Sequence, residues 1–126
     1  VCSDCGHGQL AVVTPASDLY DDSYAFRTSE SATARGGTEF FFQVLEEVAG
    51  RDTFDTVVDI GCNDTYHLDR LSGRARRRIG VDPIWAGHES EAPDGIEVIG
   101  STVEEAQLDR RLDRAPDVVI ATHTFE

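Results

Sequence analysis

The stretch DTVVDIG, residues 55–61, limits what this chain can fold into more than any other. Successive strand residues point to opposite sides, so Val57, Val58 and Ile60 place apolar groups on both faces of one strand. A strand covered on both faces is what the interior of a parallel sheet requires. The run then stops abruptly. Asp59-Ile60-Gly61 leads into Cys62-Asn63-Asp64, and the chain re-enters an apolar pattern at YHLDRLSG, a short helix ended by Gly73.

The same alternation continues downstream. RRIGVDP is a second strand broken by Pro83, and GIEVIG is a third, following an Asp94-Gly95 turn. Ser101-Thr102-Val103-Glu104 has the spacing of a capping box and predicts a helix over VEEAQLDRRL. After Pro116, DVVIATH is a fourth strand. Upstream, Phe41, Val44, Leu45 and Val48 recur at i, i+3, i+4 and i+7, which predicts one apolar helical stripe. Thr38 is its expected N-cap and Gly50 its terminator. Strands alternating with helices, with one irregular link between the second and third strands, make the expected class α/β. Such alternation argues for a parallel sheet wrapped by helices.

Residues 1–35 lack helical period. GQLAVVTP reads as a short strand ended by Pro15, and the following segment as a polar loop with spaced aromatics at Tyr20, Tyr24 and Phe26. The chain has 126 residues, starts on Val1 without a methionine and stops just after a strand, so it reads as a piece of a longer protein. Lys and Arg number 11 against 24 Asp and Glu, a formal charge of -13 that repels nucleic acid and anionic lipid. Neither is an expected partner. The basic run GRARRR, 73–78, reads as a solvated turn between helix and strand, with a phosphate or RNA patch as the lesser alternative. No apolar stretch reaches the roughly 18 residues of a membrane span, and no signal peptide is visible. A soluble cytoplasmic domain is the expectation; oligomeric state is not legible.

In an open α/β sheet the ligand crevice lies beyond the carboxyl ends of the strands. There Gly61 lets the backbone turn sharply and a ligand approach closely. Asp59 can accept a hydrogen bond from an ammonium group. Asp82, closing the second strand, can take both hydroxyls of a ribose. His123, at the end of the fourth strand, opens toward the same crevice and suits a cofactor-shaping role better than a general base. His67 reads as a helix-surface residue and Cys62 as a small apolar filler of the turn. Cys2-x-x-Cys5 has zinc-knuckle spacing but supplies two of the four ligands a closed site needs, with His7 as a third candidate. A thioredoxin-like reading lacks the preceding strand.

VVDIGCND, with GVDP at the next strand and DVVIATHTFE at the fourth, resembles the class I S-adenosylmethionine-dependent methyltransferases over roughly residues 38–126. DIGCND is similar to the E/D-I-G-x-N-D-G variant of C-methyltransferases acting on nucleotide-linked deoxysugars. Those enzymes carry an N-terminal zinc module with two CxxC pairs, and CSDCGHGQL with the aromatic, serine-rich segment after it resembles the surroundings of their second pair. The resemblance implies a zinc-module remnant and linker over 1–35 and, over 36–126, the first half of a cofactor-binding domain built as the N-terminal part of a Rossmann-like, doubly wound parallel sheet. It implies S-adenosylmethionine as cofactor, zinc on Cys2 and Cys5, and methyl transfer to a small acceptor such as a sugar nucleotide.

By that resemblance Asp59 would meet the cofactor's amino group, and Gly61, Cys62 and Asn63 would line its methionine part. Asp82 would bind the ribose, Pro83 and Ile84 would flank the adenine, and Ser101 would sit at the adenine edge. Thr122 and His123 would lie near the sulfonium, with the catalytic base expected beyond Glu126. Two positions depart from the pattern. Thr65 stands where the variant has glycine, and Ser101 where an acid commonly reads the adenine amino group. The alternative reading is a non-catalytic nucleotide-binding or interaction module, including a degenerate methyltransferase. A dinucleotide-binding dehydrogenase ranks lower, because GCNDTY lacks the second and third glycines of its fingerprint.

Overall fold

The computed structural model describes residues 1–8, 12, 14–15, 18 and 24–124. Four strands, β1 (Phe54–Ile60), β2 (Ala75–Val81), β3 (Ile96–Ile99) and β4 (Val118–Ile120), form one sheet in the order β3-β2-β1-β4. Every pairing is parallel, which makes the fold α/β as expected. The registers Ile60↔Val81 and Val81↔Ile99, with Asp59↔Ile120 on the other side, bring the carboxyl ends of the strands to one edge of the sheet.

Adjacent residues of β1 go to opposite faces. Val57 joins Phe42, Phe54, Leu68, Leu71 and Val98 on one side. Val58 joins Ile79, Val81, Ile99 and Ala106 on the other. Both valines are completely buried, so the unbroken apolar run of DTVVDIG is explained by core on each side. At the opposite end of β1 the Asp117 carboxylate accepts from the backbone N–H groups of Asp55 and Thr56 and pairs with Arg51 at 3.1 Å. It ties the start of β1 to the start of β4.

Helix α1 (Ala32–Ala49) begins before the expected N-cap Thr38, and it runs across the 35/36 boundary drawn from sequence. Ser31 caps it, its hydroxyl accepting the Ala34 N–H at 3.2 Å, and Gly50 ends it in the left-handed region at φ 62°. Thr38 lies inside the helix and donates its hydroxyl to the Ala34 carbonyl. The apolar stripe is also rotated. Thr38, Phe41, Phe42 and Leu45 face the core, whereas Val44 is exposed and Val48 almost fully so. The run Phe40-Phe41-Phe42 supplies two overlapping helical stripes, and packing against the sheet selects one.

Helix α2 (Tyr66–Arg70) follows the post-β1 turn as expected. The capping box does not form. Ser101 donates its hydroxyl to the Thr102 carbonyl, Gln107 adopts φ 48°, and only α3 (Leu108–Arg111) is helical. The left-handed residue interrupts the helix that the sequence spacing implied. The basic run is another correction. Its last four residues belong to β2, where Arg76 pairs with Asp55 and Arg77 with Glu97. Arg78 is buried and donates to the carbonyls of Leu68 and Asp94. Half of the strand expected over GQLAVVTP (residues 9–11 and 13) and the aromatic Tyr20 lie outside the described residues. Among the described residues, no helix is long and apolar enough to cross a membrane.

Candidate functional site

A cleft of about 710 Å³ opens at the carboxyl edge of the sheet. That is within the roughly 300–1,000 Å³ usual for small-molecule sites. Its floor is the turn after β1, with Gly61 and Asn63. The end of β2 contributes Asp82 and Pro83, the segment after β3 Ser101 to Glu104, and the segment after β4 Thr122 to Thr124. Thr38 and Phe41 of α1, with Tyr24 and Phe26 from the segment before it, close the remaining side.

Gly61 is required at its position twice over. It sits at φ 74°, and a Cβ there would overlap the Thr124 hydroxyl, which donates to the Ile60 carbonyl at 2.9 Å. Its N–H donates to the Val81 carbonyl at 2.8 Å, so the turn is anchored to β2 while its open side faces the cleft. Asn63, at φ 49°, is the knot between three segments. Its N–H donates to Asp82 Oδ2 at 2.8 Å, its carbonyl accepts the Trp85 indole N–H at 2.6 Å, and its amide donates to the Phe26 carbonyl at 3.1 Å. The Ser29 N–H adds a bond to the Asp64 carboxylate. The aromatic segment 24–31 is thereby fastened to the turn it covers.

Asp82 presents a carboxylate with capacity left over. Oδ2 accepts from Asn63 and Oδ1 from the Ile84 N–H at 3.1 Å, one donor per oxygen. An ionised carboxylate offers about four acceptor positions, so two remain for vicinal hydroxyls of a ligand. Both held bonds fix its orientation in advance. Gly61, Asn63, Asp82, Pro83, Ser101, Thr122 and His123, singled out from sequence, all line this one cleft.

Asp59 and Cys62 do not line it. Asp59 is fully buried behind the turn, with Oδ2 3.1 Å from Nδ1 of His67 and Oδ1 without a hydrogen-bond partner. Burial raises its carboxyl above the ordinary range, opposed by the hydrogen bond to His67 and the electrostatic attraction of that ring. Cys62 is buried and fills the space over Gly80, where any Cβ would strike its sulfur. Burial pushes its thiol far up, and the nearby Asp59 and Asp82 charges add to this. Its backbone is committed inside the turn, N–H to Val81 and carbonyl to Thr65. Thr65 holds the left-handed conformation a glycine would take, φ 62°, at a cost of roughly 1 kcal/mol or more, and its buried hydroxyl has no partner.

His67 is the residue that the sequence reading missed. It is buried, touches Asp59, lies within ring-contact distance of Phe41 and Phe42, and lines the cleft. A signal was present: 67, 68 and 71 share one helical face, and Leu68 and Leu71 are its apolar members. Glu104 and the Tyr24–Phe26 wall were likewise not expected to reach the cleft. Asp82 and Glu104 are its carboxylates, and among the described residues no Lys or Arg lines it.

Cys2 and Cys5 lie elsewhere, in an exposed turn. Cys2 donates its N–H to the His7 carbonyl and accepts from Gly6, whose φ is 72°. The Cys2 thiol is lowered by the backbone N–H groups of Cys5 and Asp4, which suits a thiolate ligand. Two thiols are half a tetrahedral zinc site, and among the described residues no group of three or more His, Cys, Asp or Glu could hold a metal. No protein-family model matches the chain, and no curated protein matches it either.

Proposed function

We propose that the cleft binds S-adenosylmethionine and that the protein transfers its methyl group to a small acceptor, as a Rossmann-like methyltransferase does. One observation carries this reading: the Gly61 bend and the Asp82 carboxylate, brought from different strands, face one cleft. Asp82 would take the ribose hydroxyls, Pro83 and Ser101 would border the base, and the open backbone at Gly61 would admit the remainder of the molecule. The absence of Lys and Arg from the described lining also suits a cationic ligand better than a dinucleotide, whose pyrophosphate would meet Asp82 and Glu104 without a counter-charge. For the same reason, a sugar-nucleotide acceptor would keep its diphosphate outside this cleft.

The bound cofactor supplies an electrophilic methyl group. The protein's share is alignment and exclusion of water. Phe41, Tyr24 and Phe26 are the apolar groups that would dry the site, and His123 and Thr122 the polar ones nearest the end of β4. A non-catalytic nucleoside-binding module is the second reading, favoured by the withdrawal of Asp59 into the core. Titration calorimetry with S-adenosylhomocysteine tests the first. Micromolar binding that Asp82→Ala abolishes is the expected result. A folded protein that produces no binding heat refutes the methyltransferase reading and favours the module, and binding without methyl transfer to any acceptor tried also supports the second.

A further inference from the structure

Asp59 and His67 form a buried pair that the scheme above leaves without a role. Asp59 has one oxygen on His67 Nδ1 and one without a partner, and it is fully buried and does not line the cleft. His67 is 7 % exposed and lines the cleft. Phe41 and Phe42 pack around the ring, with centroids 6.3 and 6.4 Å from its own, which limits its freedom to turn. A neutral imidazole that donates Nδ1–H to a carboxylate leaves Nε2 as a hydrogen-bond acceptor, its tautomer chosen by the acid behind it. The carboxylate also makes that nitrogen a stronger acceptor, as it does for histidines that bind metals. No Lys or Arg is among the described cleft-lining residues, His67 is the ion-pair partner of Asp59 among the described residues, and the nearby Asp82 adds a second negative group. A cation beyond the ring is the complement the pair lacks.

We infer that His67, held by Asp59, is the group that receives the ammonium end of the ligand, accepting an N–H hydrogen bond at Nε2. Asp59 is then a positioning residue that acts through His67 and does not touch the ligand. The inference rests on the cofactor reading above and adds a specific recognition element to it. It also gives the helical position after Tyr66 a function in binding, where its neighbours Leu68 and Leu71 serve only the core.

Three ligands separate the possibilities by calorimetry on the same protein: S-adenosylhomocysteine, its deamino analogue, and 5′-methylthioadenosine, which lacks the amino-acid tail. The wild-type protein is expected to bind S-adenosylhomocysteine roughly ten- to a hundred-fold more tightly than the deamino analogue, the range of one hydrogen bond to a charged group. His67→Asn keeps an amide N–H for Asp59 but has nothing at Nε2. It should close that gap and leave 5′-methylthioadenosine affinity unchanged, which also shows that the variant is folded. His67→Gln, whose amide reaches the Nε2 position, should restore part of the gap. Equal wild-type affinity for the amino and deamino compounds overturns the assignment while leaving the nucleoside site standing. So does a His67→Asn variant that weakens all three ligands alike. A wild-type protein that binds none of the three overturns the cofactor reading and this inference together.

Discussion

Replacing Gly61 by alanine probes the bend on which the cleft is built, and its cost divides into separable parts. The first is conformational: an L-residue at φ 74° loses about 1–2 kcal/mol relative to glycine. The second is steric. The new methyl overlaps the Thr124 hydroxyl, and because Thr124 is exposed its side chain can rotate away, so the loss is that hydroxyl's hydrogen bonding, shared between the Ile60 and Thr122 carbonyls, about 0.5–1.5 kcal/mol. Against these stands the lower entropy of the unfolded alanine chain, about 0.4–1 kcal/mol. The balance is a destabilisation of about 2 kcal/mol. With a urea slope near 2 kcal/mol per M, this lowers the midpoint by roughly 1 M. Thr124→Ala removes the steric part beforehand. In that background Gly61→Ala should cost about 1 kcal/mol, leaving a coupling of about 1 kcal/mol, well beyond the roughly 0.3–0.5 kcal/mol scatter of independent sites. Urea titrations of the four proteins, followed by circular dichroism, measure it. Additive effects, or a single mutant within about 0.5 kcal/mol of wild type, would show that Gly61 and Thr124 are not packed as described.

Two further outcomes are expected. Phe42→Ala should cost about 3–5 kcal/mol of unfolding free energy and Val48→Ala less than about 0.5, measured by the same titration; the reverse order would place the other stripe of α1 against the sheet. Asp117 is held below the ordinary carboxylate range by the N–H groups of Thr56 and Asp55 and then by Arg51. A depressed folded value gives stability that is present above the unfolded value near 3.9 and lost as pH falls through the folded one. Asp117→Asn should therefore be less stable at neutral pH and show a shallower acid limb in its urea midpoint; an unchanged slope down to about pH 2 refutes the capping role.

What the residues announced by themselves was the sheet and the place of its crevice. Val57, Val58 and Ile60 in one run demand cover on both faces, a condition that holds whatever the neighbours are. The glycine that ends this strand and the acid that ends the next can be read as a pair because parallel strands finish at one edge. Helix phase, by contrast, was not legible in α1. Phe40, Phe41 and Phe42 allow two stripes of equal period, and only contact with the sheet distinguishes Phe42, in the core, from Val48, in solvent. The capping box failed for a similar reason. Its spacing describes a local possibility, and Gln107 in the left-handed region interrupts it within the folded chain.

Tertiary structure also decided the fate of Asp59. From sequence it is an acid at a strand end, open to a ligand. Flanked by β2 and β4 and covered by α2, it is sealed from the cleft, and His67 takes the position at the wall. Sequence spacing places residues along a chain, but burial depends on which elements close over them, and that is settled only when the sheet and its helices are assembled.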